Sequence, residues 1–168
     1  IRTTWTYVRM ANAYKESHQP KMAQELFKNS LKVYREHYGK NHPKTAMIIQ
    51  EIANTYSEFN DHKKAINFLS IAKEIIRNSL GEFHPEYADI LVSFGNVYSR
   101  IHDLENARIN YLEAISNTEK SIGLKNQVAA DIYYNLGNIY FEENNFEQSK
   151  KAYLKSLEIT KELNQGYN

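Results

Sequence analysis

The chain of 168 residues has no cysteine, which excludes disulfides, thiolate nucleophiles and cysteine-ligated metal. No Asn-x-Ser/Thr sequon occurs, no apolar run nears the roughly 20 residues of a membrane span, and no signal-peptide pattern opens the chain. These absences predict a reducing, cytoplasmic setting with no membrane partner. An excess of either charge is missing too, with 21 basic against 20 acidic residues. A chain so balanced has no net field to draw it to nucleic acid, so none is expected as a partner. It opens at Ile1 instead of methionine, which reads as a piece of a larger protein.

Chemical signatures are equally scarce. There is no Gly-x-Ser-x-Gly, no glycine-rich phosphate loop and no His-Glu-x-x-His, so every enzyme class lacks its usual local motif. His18, His37, His62 and His102 have no ligand spacing, while His42 and His84 each precede a proline and read as helix starts. Neither catalysis, a metal nor a cofactor is expected.

What the chain does have is repetition. Asn12-Ala13-Tyr14, Asn54-Thr55-Tyr56, Asn96-Val97-Tyr98 and Asn138-Ile139-Tyr140 recur every 42 residues. A fixed period of this length means one supersecondary unit stacked on copies of itself. Four units, approximately 1–42, 43–84, 85–126 and 127–168, account for the whole chain as a single domain. Apolar residues step by three and four, as in Ile49, Ile52, Ala53, Tyr56 and Leu91, Phe94, Gly95, Tyr98, so each unit is helical. Pro20 and the pairs Asn60-Asp61, His102-Asp103 and Asn144-Asn145 interrupt the pattern before a second stripe such as Ala65, Leu69, Ala72 or Ala107, Tyr111, Ala114. Each unit is therefore a helical hairpin. Gly39, Gly81 and Gly123 mark the ends of units, where a left-handed residue is expected, and Pro43 and Pro85 open the next helix.

Small residues at Ala11, Ala53, Gly95, Gly137 and at Ala23, Ala65, Ala107, Ser149 let paired helices approach closely. This pattern, with Leu136-Gly137, Tyr140, Ser149, Tyr153 and Ser156, resembles the tetratricopeptide repeat. Gly39-Lys-Asn-His42-Pro43 and Gly81-Glu-Phe-His84-Pro85 resemble the long-repeat class of kinesin light chains. The junction Gly123-Leu-Lys-Asn-Gln127 lacks His-Pro. The resemblance implies an all-α solenoid of four hairpins in a right-handed superhelix, acting as a protein-protein interaction scaffold whose first helices line a concave groove. That groove would take a peptide or protein ligand. Two other roles fit the same fold: a peptide-sensing domain of a larger signalling protein, as in bacterial pheromone regulators, and a structural assembly spacer. The last helix presents Leu157, Ile159 and Leu163 with no polar cap, which points to end-to-end self-association, further repeats in the parent chain or a partner.

On the first helices, a stripe beside the core places Trp5, Val8, Asn12, Lys15; Met47, Gln50, Asn54, Ser57; Asp89, Val92, Asn96, Ser99; and Asp131, Tyr134, Asn138, Phe141 toward the expected ligand, with Glu51 beside it. Asparagine inside a helix costs about half a kcal/mol against alanine, and here it recurs in phase four times. Either each amide donates and accepts one bond to ligand backbone, or each bonds to a neighbouring first helix and sets the angle between repeats. Trp5 reads either as an anchor or as a cover for the first repeat; Tyr14, Tyr56, Tyr98 and Tyr140 read as core. Glu16, Glu51, Glu58, Asp89, Asp131 and Glu142 outnumber Arg9, Lys15 and Arg100, so the face leans acidic. That lean, with Val8, Gln50, Val92 and Tyr134 where a carboxylate clamp would need Lys and Arg, speaks against the acidic ligands of chaperone-binding arrays and kinesin light chains.

Overall fold

The computed structural model describes residues 2–165. Eight α-helices follow one another with no strand among the described residues: α1 (Arg2–Glu16), α2 (Pro20–Tyr38), α3 (Pro43–Glu58), α4 (His62–Leu80), α5 (Pro85–Arg100), α6 (Leu104–Ile122), α7 (Gln127–Glu142) and α8 (Phe146–Gln165). They pair in chain order as four hairpins, and the chain divides into two compact units at residues 1–81 and 82–168. In the first unit α3 also packs on α2; in the second α7 packs on α6.

One tight turn serves every hairpin. The first helix ends in a residue at positive φ, His18 (54°), Asn60 (63°), His102 (57°) or Asn144 (60°). The next residue sends its N–H back to the carbonyl of the repeated tyrosine, from Gln19 to Tyr14, Asp61 to Tyr56, Asp103 to Tyr98 and Asn145 to Tyr140. This is the Schellman arrangement, which satisfies carbonyls left open at a helix end. That same residue then starts the second helix. Asp61 accepts from the Lys64 N–H, Asp103 from Asn106 and Asn145 from Gln148, while Gln19 has no capping bond and relies on Pro20 at the first helical position.

The linkers between hairpins work differently, and here the sequence expectation needs correcting. Gly39, Gly81 and Gly123 have φ of 94°, 88° and 77° with ψ of 162°, 165° and 175°. That is the extended mirror-image region open essentially to glycine alone, and the left-handed helical residues lie inside the hairpins instead. Three residues on, a side chain caps the next helix. His42 Nδ1 accepts from the Lys44 N–H and His84 Nδ1 from Glu86, so both histidines are structural. Asn126 takes the same place at the junction without His-Pro, accepting from the Ala129 N–H and donating to the Gly123 carbonyl at 2.6 Å.

The core of each hairpin forms where small residues face bulky ones. Ala11, Ala53, Gly95 and Gly137 are buried on the first helices, and Ala23, Ala65, Ala107 and Ser149 on the second. Buried Ser149 donates to the Gly137 carbonyl, so its hydroxyl costs no unpaired polar group. Of the repeated tyrosines, Tyr56 is buried and stacks on Phe68 across its hairpin at 5.5 Å; Tyr14, Tyr98 and Tyr140 are half-buried.

Added Cβ atoms at Gly39 and Gly123 would meet nothing within 4 Å, so alanine there tests the backbone alone. Gly39→Ala and Gly123→Ala are each expected to destabilise by about 1–3 kcal/mol in chemical denaturation. Unchanged midpoints would mean that the linkers tolerate another backbone path.

Candidate peptide-binding site

The sequence-predicted residues separate by compact unit. In the first, Val8, Asn12, Gln50, Glu51 and Asn54 are half-buried on α1 and α3; the Trp5 side chain lies outside the described residues. In the second, Asp89, Asn96, Asp131 and Tyr134 are exposed while Val92 and Asn138 are half-buried. Asn96, Asp131 and Tyr134 come together with Ser99, Arg100, Tyr111 and Asn135 around an open cleft of about 590 Å³. Helices α5 and α7 supply its walls and Tyr111 of α6 its floor. Asp89, Val92 and Asn138 do not line it.

The floor explains the repeated asparagine in a way the sequence reading missed. Tyr111 donates its hydroxyl to Asn96 Oδ1, and Tyr153 of α8 donates to Asn138 Oδ1, both at 2.6 Å. These amides are therefore held by the second helix of their own hairpin, not by a neighbouring first helix. With the carbonyl engaged and the amide plane fixed, Asn96 presents its NH₂ as a donor. The second lone pair of each carbonyl remains for a further donor.

Room for each tyrosine comes from glycine. A Cβ built at Gly95 or Gly137 would stand 2.5 Å from the ring of Tyr111 or Tyr153. Where the first helix carries Ala11 or Ala53, the facing second-helix position holds Phe27 or Leu69. Those two hairpins lack the hydroxyl, and Asn12 Oδ1 is buried without a hydrogen-bond partner. The pairing of Gly with Tyr and Ala with Phe or Leu was present in the sequence as a correlation at fixed phase.

Charged side chains at this face also meet across elements. Glu58 is 3.5 Å from Lys15, and Glu142 is 3.5 Å from His102. In the cleft Arg100 accompanies Asp131, whose carboxylate accepts from Gln127 Nε2 at 2.7 Å. Outside the cleft, crowding by protein raises the Asp89 pKa although its surface is exposed, and the Glu86 carboxylate adds to the rise. Burial pushes the Tyr111 phenol far above its ordinary value, outweighing the pull of Arg100. Tyr111 thus remains a donor across the physiological range. Tyr134, 55% exposed, is backed by the Tyr153 ring at 5.7 Å. Among the described residues no group of three or more His, Cys, Asp or Glu side chains could hold a metal ion, and no helix is long and apolar enough to cross a membrane.

Comparison with known proteins agrees with this architecture. Tetratricopeptide-repeat models match residues 2–70 and 130–160. The chain belongs to the tetratricopeptide-repeat family. Among solved structures it is similar to BtubC (BKLC) from P. vanneervenii, with a TM-score of 0.84 and 19% identity over 96% of this chain and 64% of that one. It is also similar to a Podosopora anserina protein of the kinesin-light-chain type with nearly identical TPR-like repeats, at a TM-score of 0.72 and 15% identity over 94% and 74%. A Rap protein complexed with competence and sporulation factor matches at 0.84 and 20% over 97% and 44%. The chain thus spans less than two thirds of BtubC and less than half of the Rap protein. At these identities the likeness is one of fold. No curated protein matches by sequence.

Two measurements test the floor. Gly95→Ala is expected to destabilise by about 1–2 kcal/mol, overpacking exceeding the roughly 1 kcal/mol gained in helix propensity. Adding Tyr111→Leu, which reproduces the Ala53–Leu69 pairing, should recover much of that loss; additive costs would contradict the contact. The raised Tyr111 pKa implies stability that is full below the unfolded phenol value of about 10 and declines as pH rises past it. Tyr111→Phe should flatten this alkaline decline in unfolding titrations.

Proposed function

We propose that residues 1–168 form a non-catalytic interaction module that binds a peptide segment of a protein partner, with the cleft of α5, α6 and α7 as its principal contact. The supporting observation is the convergence of Asn96, Arg100, Asp131 and Tyr134 on one open cleft above a fixed tyrosine floor. An oriented amide donor, a guanidinium, a carboxylate and a supported ring suit an extended chain, which offers carbonyls at every residue and side chains of either sign. In this reading Asp89, Val92 and Asn138 extend the contact within the second unit, Val8, Asn12, Gln50, Glu51 and Asn54 supply a contact of the first unit by itself, and the protein is cytoplasmic. A ligand with a basic residue opposite Asp131 and Tyr134 gains from both charge and ring. A second reading, a peptide-sensing domain, draws support from the likeness to the Rap protein seen with competence and sporulation factor.

A peptide-array screen followed by calorimetry tests the proposal. Asn96→Ala should weaken a recovered peptide by about 1 kcal/mol, the scale of one hydrogen bond, and Asp131→Asn should weaken basic peptides while reducing the salt sensitivity of their association. Tyr111→Phe separates binding from scaffolding, because it removes the bond that orients Asn96 and leaves the amide in place. Hits dominated by Asp and Glu, or affinity indifferent to both Asn96 and Asp131, would end this assignment of the site.

A further inference from the structure

Charge that cancels over the whole chain does not cancel within its compact units. Residues 1–81 hold thirteen Lys and Arg against seven Asp and Glu, while residues 82–168 hold eight against thirteen. The first unit is basic and the second acidic.

The basic excess concentrates on α2. Lys21, Lys28, Lys32 and Arg35 are all exposed and fall within about 60° of one side of that helix at 3.6 residues per turn, with Glu25 and Glu36 along one flank. At the same repeat phase α6 carries Glu105, Leu112, Ser116 and Glu119, and only Ser116 is half-buried. The phase stays open there although α7 packs on α6, and it is equally open in α4 and in α8, whose hairpin has another before it. It is thus an outer face of every hairpin and owes nothing to where the chain begins or ends.

Pairing within the chain leaves two of these four faces charged. On α4 Arg77 meets Glu74, and on α8 Glu147 meets Lys151 and Glu158 meets Lys155. On α6 it is the basic residues that are engaged, Arg108 by Glu143 and Lys120 over the Phe83 ring at 5.2 Å. Glu105 and Glu119, like Lys21, Lys28, Lys32 and Arg35, have no ion-pair partner among the described residues. The two rows also match in length, since fourteen residues, roughly 21 Å of helix, separate Lys21 from Arg35 and Glu105 from Glu119.

We propose that the α2 face of one molecule docks on the α6 face of a second copy, the helices antiparallel, with Arg35 opposite Glu105, Lys21 opposite Glu119 and the Lys28 stem over Leu112. Leu112 is 41% exposed, and lysine methylenes cover such a side chain while the ammonium stays in water. A net charge of +1 leaves no general repulsion between copies. A polyanion gains at the first unit and loses at the second, whereas a second copy gains at both.

Sedimentation equilibrium of the whole chain tests this at low salt, where charges act over about 30 Å, and near 1 M, where they act over about 3 Å. The association constant is expected to fall at least about tenfold across that range, because exposed ion pairs are screened. Lys21→Glu with Arg35→Glu, and separately Glu105→Lys with Glu119→Lys, should each weaken low-salt association at least about tenfold, with circular dichroism confirming that the helices persist. All four changes in one chain return the net charge to its starting value and the two faces to complementarity, so association should recover. A chain that stays monomeric at low salt overturns the proposal, as does association that either pair of changes leaves intact or that the fourfold variant fails to regain. Polyglutamate binding to a monomer, lost with Lys21→Glu and Arg35→Glu, overturns it too and assigns the α2 face to an acidic segment of another protein.

Discussion

The fold depends on how closely two helices approach within one hairpin, and a single small side chain sets that distance. Gly95 and Gly137 lie under Tyr111 and Tyr153, and at the same repeat phase buried Ala11 and Ala53 are matched with buried Phe27 and Leu69. Interiors pack to crystal-like density, so a change of one methyl group on one side must be answered on the other. The pairs follow this rule: glycine with tyrosine, alanine with phenylalanine or leucine. Where glycine admits tyrosine, a hydroxyl reaches the neighbouring asparagine, so a packing constraint in the core determines how an amide is presented at the surface.

Much of this was legible in the sequence, for definable reasons. The Asn-x-Tyr period locates the hairpins because repetition multiplies a weak helical signal, and Pro43 and Pro85 mark helix starts whatever the tertiary context. His42 and His84 read correctly as structural because each precedes a proline in phase. The glycines were recognised as necessary but assigned the wrong backbone region, since a sequence distinguishes positive φ from negative and says nothing of ψ. Histidine at a left-handed position, as at His18 and His102, gives no signal comparable to glycine.

The candidate site was legible only in part. Asn96, Asp131 and Tyr134 were on the predicted stripe, and helical spacing alone places them on one side of α5 and α7. Tyr111 belongs to the apolar stripe of the second helix and is buried, yet it lines the cleft and its hydroxyl reaches Asn96; a residue with an apolar body and a polar tip serves both environments. Pairings between elements are likewise beyond the reach of spacing within one helix: Glu58 of α3 meets Lys15 of α1, and Arg108 of α6 meets Glu143 after α7.

The turn inside each hairpin has a consequence for how such a chain can change. Because the residue that closes the first helix also opens the second, no spare link separates them. One residue added within α4 beyond Asp61 would rotate everything downstream in that helix by about 100°, carrying Leu69 off Ala53. The glycine linkers leave open space beside their backbone and impose no such phase. Growth or loss of this protein is therefore quantised: whole hairpins can be copied, deleted or exchanged at Gly39, Gly81 and Gly123, while the interior of a hairpin admits substitution but not a change of length.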